Sequence, residues 1–221
     1  MKLQKLGGYA SIVFVCALIA VVGIAAFTMP RLGLTLSGDG ADPVKVMAAY
    51  EASPITFHVL RPFGILIAIV IVLITLALQE RMRANAPNLM RLAVIAASVA
   101  SALLLANTIT GTLGLASITS AKDVSAYRAF RVMQDGLSSA GLNAWGWALL
   151  LMGWAAITTR ALPRILSWLI LVYGVVTIFQ FAVVQIQSVS LLLFLISMMW
   201  LGVVLLRKQE PSPAQAHKTA S

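Results

Sequence analysis

Residues 165–206 read ILSWLILVYGVVTIFQFAVVQIQSVSLLLFLISMMWLGVVLL, without one charged side chain. As a single α-helix this stretch would be about 63 Å long at 1.5 Å per residue, about twice the 30 Å thickness of bilayer hydrocarbon. It must therefore fold back on itself. Its one polar cluster is Gln185, Gln187, Ser188 and Ser190, and the turn is expected there. Two spans result, at about 165–184 and 191–206.

Working outward, four more apolar runs precede this hairpin, at about 7–28, 62–79, 92–112 and 137–157. Each is near the 20 residues needed to cross a bilayer. The composition agrees: of 221 residues 60% are hydrophobic and only 10% charged, and the mean hydropathy is +0.94. A water-facing surface needs about 25% charge, so hydrocarbon must be the main solvent. The fold expected is all-α, a polytopic transmembrane bundle of six spans over residues 1–206, with 207–221 a disordered cytoplasmic tail. The first run follows Lys2 and Lys5, as a signal peptide does. It is longer than the 7–15 apolar residues of such a peptide, and an uncleaved first span is expected.

The outer loops carry short amphipathic helices. Asp42 has the character of an N-cap and Pro43 of a first helical position, with Pro54 ending that helix. Ser120 and Asp123 have capping-box spacing and are expected to start a second short helix through Tyr127, Phe130 and Met133. Gly111 and Gly114 are expected to end or bend the third span. Ala93, Ala97 and Ala100 give that span a small-residue face suited to close packing, which places it at the bundle centre.

Sixteen Lys and Arg against seven Asp and Glu give a net charge of +9. The basic residues sit at the ends of apolar runs, where they act as topology signals and headgroup contacts. The partner implied is the lipid bilayer and not nucleic acid, with a homo-oligomer or a membrane-protein partner as further company. Ten of the sixteen fall on one face: Lys2, Lys5, Arg81, Arg83, Arg91, Arg160, Arg164, Arg207, Lys208 and Lys218. By the positive-inside rule both termini are expected in the cytoplasm.

Chemistry is sparse. Cys16 is the one cysteine, and His58 and His217 are the two histidines, too few for a disulfide, a paired-His haem or a His-rich metal site. No cofactor is implied, and no catalytic residue or metal ligand is assigned. The spans hold no Asp, Glu, Lys, Arg or His in their interiors, whereas proton-coupled transport usually needs such a group. One pattern does suggest a ligand site. Asn107, Asn143 and Gln180 fall at similar depth in three spans, with His58, Arg61 and Asp135 above them at the interface. Amides facing lipid leave donors unsatisfied, so these are expected to turn inward as the floor of a cavity, with Arg61 at its mouth. The plainer alternative is interhelical bonding by the amides, with Arg61 paired to Asp135 or to a lipid phosphate. Five tryptophans, Trp145, Trp147, Trp154, Trp168 and Trp200, are expected to form interfacial belts.

Leu162-Pro163-Arg164-Ile165-Leu166, entering the fifth span, resembles a tract found before the penultimate helix in a family of uncharacterised multi-pass bacterial membrane proteins, a domain of unknown function. Ser167 stands where that family usually has Gly. Leu60-Arg61-Pro62-Phe63-Gly64 resembles an Arg-x-Gly region of the same family. The likeness covers about residues 5–206 and implies a bacterial inner-membrane location, without implying an activity or functional residues.

Three roles fit these features. The first is a non-catalytic binding, sensing or accessory membrane component. The second is a small transporter using the outward polar cavity, although no inverted repeat or broken midplane helix is evident. The third is a membrane-embedded enzyme acting on lipid, with Arg61 on a phosphate and His58 as acid or base. The absence of catalytic motifs favours the first.

Overall fold

A computed structural model describes residues 3–34, 42–60, 62–180 and 186–207, with only the backbone described at 59, 60, 62 and 186–188. Arg61, the 35–41 loop, the 181–185 connection and the 208–221 tail fall outside it, and so do the expectations placed on them.

Among the described residues there are eight α-helices and no strand: α1 Leu3–Arg31, α2 Pro43–Ala52, α3 Pro54–Leu60, α4 Pro62–Met82, α5 Pro87–Ala121, α6 Val124–Thr159, α7 Arg164–Phe179 and α8 Ile186–Leu206. The protein is an all-α transmembrane bundle. Five of the helices are long and apolar enough to cross a bilayer, and α7 is a shorter apolar helix. Its 16 residues span about 24 Å.

Successive long helices pack side by side, α1 on α4, α4 on α5, α5 on α6, α6 on α7 and α7 on α8, and α8 returns to α1. The six apolar helices therefore close into a ring. α5 is one member of that ring and not its centre, because α4 and α6 take its two flanks. Its small face is used as expected: Ala93, Ala97 and Ala100 are fully buried, and Ser101 Oγ donates to Ala68 O of α4 at 2.8 Å.

Close approach of backbones fixes two seams. At α6–α7 a side chain on Gly146 would lie 3.0 Å from Gly174 O, and one on Gly174 would lie 2.7 Å from Leu150 N. At α1–α8, Gly8 and Gly202 each lie where an added Cβ would meet the other's carbonyl at 3.1 Å. Ser11 Oγ donates to Met198 O at 2.6 Å beside them. Without a hydrophobic driving force between helices in lipid, such contacts supply much of the association energy.

Two boundaries differ from expectation. The short helix after Ser120 and the fourth span are one continuous helix, α6. Ser120 Oγ donates back to Ser117 O, α5 ends at Lys122 in the left-handed region with φ 53°, and Asp123 starts α6. Its carboxylate accepts from the N–H of Ser125 and of Ala126, both at 2.9 Å, and no proline interrupts the next 36 residues. The other difference is at the hairpin. α7 ends at Phe179 and α8 already begins at Ile186, so Gln187, Ser188 and Ser190, where the turn is expected, are helical, while Gln185 lies outside the described residues.

α5 does not stop at Gly111 or Gly114. It runs on to Ala121, and the missing side chain at Gly114 lets the Phe130 ring of α6 pack against it. At about 52–54 Å, α5 and α6 outreach the hydrocarbon. Beyond it, at the end away from Leu3, they carry α2 and α3 through a small core of Met47, Tyr50, Leu115 and Tyr127. α2 starts as expected, Asp42 Oδ1 accepting from Val44 N at 3.0 Å. The helical turn Pro54–Leu60 was not anticipated.

Candidate functional site

A ring of six helices leaves a space along its axis unless large side chains fill it. Here a cavity of about 320 Å³ remains, and every helix of the ring contributes to its wall. Phe14 comes from α1, Ile71 from α4, Leu104 from α5, Trp145 from α6, Tyr173 from α7 and Phe194 from α8. The rings hold one another in place: Phe14 meets Phe194 edge-on at 5.5 Å, and Tyr173 meets Phe194 at 5.9 Å. The wall is almost wholly apolar. Its polar feature lies where α7 ends and α8 begins, where Ser190 Oγ donates to Gln180 Oε1 at 2.9 Å.

This geometry distributes the three amides differently from the common layer expected. Gln180 lies on the central cavity. It sits at the C-cap of α7 and not five residues inside a span. Asn143 lines neither cavity; its Nδ2 donates to Ile178 O at 3.2 Å, satisfying one of the last carbonyls of α7, which have no partner within their own helix. Asn107 lies in a second cavity, of about 340 Å³, under α2 and α3. Its Oδ1 is buried and accepts no hydrogen bond. Among the described residues no hydrogen bond joins any two of the three amides.

The interfacial residues also separate. His58 is exposed, with Nε2 3.3 Å from the Tyr50 hydroxyl. Asp135 pairs with Arg131 one turn earlier on α6, at 3.2 Å, both side chains well exposed. Arg61 lies outside the described residues.

Trp147, Trp154 and Trp168 are each about half exposed on the outside of the ring, as interfacial rings should be. Trp145 departs from the belt; it is 3% exposed and faces the central cavity. Sequence reasoning missed it, along with Phe14, Tyr173 and Phe194, because an apolar residue in an apolar helix carries no mark of facing inward.

A family model matches residues 13–208, from within α1 to just past α8, under the description Domain of unknown function (DUF4386). The chain belongs to this family. The match takes in every residue on the central cavity wall, from Phe14 to Met198. No curated protein and no solved structure matches the chain.

Proposed function

We propose that this DUF4386 member is a non-catalytic binding component of the bacterial inner membrane, with both termini cytoplasmic, and that it holds an apolar molecule in its central cavity. The observation that carries the reading is the wall itself, with all six ring helices converging on one space of about 320 Å³. Small-molecule sites are typically apolar cavities of about 300–1,000 Å³ with a few polar groups that fix orientation. Gln180 and Ser190 are those groups here. The Gln180 amide retains N–H donors beyond its bond to Ser190, so the occupant carries a hydrogen-bond acceptor at one end. A lipid-derived or ring-bearing molecule with a carbonyl fits.

Orientation rests on the excess of Lys and Arg at the end that holds Leu3 and Arg207, where Arg81, Arg83, Arg91, Arg160 and Arg164 also fall.

The test is thermal unfolding of the full chain in mild detergent, with a long-chain methyl ketone as the probe. A ligand that binds only the folded state raises the melting temperature with its concentration. Leu142→Trp, which fills the cavity without adding charge, should abolish that rise. A rise of equal size in the filled variant would place the probe elsewhere and defeat the proposal. So would turnover of the probe.

A further inference from the structure

The cavity under α2 and α3 shares no lining residue with the central one. We propose that it is a second binding site, for a small monocarboxylate that also carries an uncharged amide, the class to which N-acyl amino acids belong.

The carboxylate comes from Arg131, the one ionised side chain among the described lining residues. Its Nε donates to Asp135 Oδ2 at 3.2 Å, and its guanidinium also reaches the Tyr127 hydroxyl. A guanidinium carries five N–H donors in a planar fork, so terminal N–H groups remain for a further acceptor. Asp135 does not close the site. It is not on the cavity wall, both partners are well exposed, and exposed pairs of this kind are weak. An incoming carboxylate can take the free edge of the fork, where each bond is charge-assisted.

The amide comes from Asn107 and Gln134. Asn107 buries its Oδ1, whereas its Nδ2 keeps accessible surface and makes no bond among the described residues. Gln134 Nε2 donates to Thr110 Oγ1 at 2.7 Å, which leaves Gln134 Oε1 as an open acceptor. That oxygen lies against Gly111, 2.9 Å from where a Cβ would stand, so the glycine keeps it uncovered. The Gln134–Thr110 bond also sets the register. Asn107 lies about one turn from Thr110 along α5, and Arg131 about one turn from Gln134 along α6. A donor, an acceptor and a cation therefore stand along one wall. A group that both accepts and donates answers the first two, and a carboxylate answers the third. Phe57, Tyr127 and Phe130 offer apolar surface to the rest of the molecule. At about 340 Å³, the space is in the range of small-molecule sites.

Equilibrium dialysis of the full chain in nonionic detergent against radiolabelled N-benzoylglycine tests the inference, with its methyl ester as the analogue that lacks the charge. The acid should bind about tenfold more tightly than the ester, the size expected of a hydrogen bond to a charged group. Arg131→Gln should bring the acid down to the level of the ester. Asp135→Asn should tighten the acid and leave the ester unchanged, because it removes the carboxylate that competes for the guanidinium. Asn107→Leu should weaken acid and ester by the same factor, since Asn107 meets only the amide. Asn107→Ala should do the same and serves if the leucine variant misfolds. Leu142→Trp, which fills the central cavity, should change none of these results. The inference is overturned if the acid does not bind at millimolar concentration, if acid and ester bind alike, or if the preference survives Arg131→Gln. It is equally overturned if Asp135→Asn fails to tighten the acid, if neither Asn107 variant weakens it, or if Leu142→Trp abolishes its binding. Tighter Arg131-dependent binding of dihexanoylphosphatidylglycerol than of the acid would make Arg131 a lipid-headgroup contact, and would overturn it as well.

Discussion

The side chain of Asn143 on α6 donates to the carbonyl of Ile178 on α7 at 3.2 Å, and so caps a helix to which it does not belong. α7 stops one residue later, at Phe179, and the amide replaces the intrahelical donor that Ile178 would otherwise lack. The pair ties α6 to α7 at the end where α7 stops.

Asn143→Leu should therefore lower stability while sparing the cavity. A side-chain bond of this kind in a membrane bundle contributes about 0.6–1.7 kcal/mol. Thermal unfolding in detergent should show a melting temperature lower by a few degrees, with ligand-induced stabilisation unchanged. Loss of ligand response in a protein that melts normally would mean that Asn143 touches the ligand.

Gly174→Ala should be markedly worse than its one added methyl suggests. The new Cβ would sit 2.7 Å from Leu150 N, against backbone that cannot rotate away, so α6 and α7 must separate. Overpacking of this kind costs about 1–3 kcal/mol. Gly23→Ala is the matched control. Nothing lies within 4 Å of its added Cβ, and alanine favours the helix, so that variant should unfold at the same denaturant or slightly later. Equal behaviour of the two would refute the close seam.

The spans were legible in the sequence because charge punctuates them: Arg81, Arg83 and Arg91 bracket one turn, Arg160 and Arg164 another. The start of α2 was legible because Asp42 and Pro43 act locally. The amide layer was not, since depth was counted from helix ends and all three of those ends moved, α5 running on to Ala121 beyond Asn107. α7 closes at Phe179, which puts Gln180 at its terminus, and α6 begins at Asp123, which makes Gln134, Asp135 and Asn143 parts of one helix. Which apolar residues face the axis was invisible for another reason. In hydrocarbon both faces of a helix are apolar, so Trp145 inside and Trp147 outside look alike until the neighbours are known.

Asp123 gives stability a dependence on pH. The N–H of Ala126, with the Ser125 hydroxyl and N–H, holds its carboxyl below the usual value, because all three donors favour the charged form. A lowered folded pKa means that the contribution is complete above the ordinary aspartate range and disappears as pH falls through the folded value. Asp123→Ala should melt below the parent at pH 7, and the gap should narrow as the pH is taken through and below that range. A gap that stays constant to strongly acidic pH would show that the cap works without ionisation.

The α1–α8 seam decides whether there is a central cavity at all, because it is the contact that turns a row of helices into a ring. Gly202 lies 3.1 Å from Gly8 O and 2.8 Å from the Ile12 side chain at the point where its Cβ would stand. A branched residue there must drive the two helices apart. Gly202→Ile should leave the protein helical by circular dichroism, since the other seams persist and isoleucine is compatible with a membrane helix. Stabilisation by the ketone probe should nevertheless be lost, because Phe14 on α1 and Phe194 and Met198 on α8 no longer face one another across the wall. Retention of the ketone response in Gly202→Ile would show that binding does not require closure, and the ligand would then have to lie against an open sheet of helices.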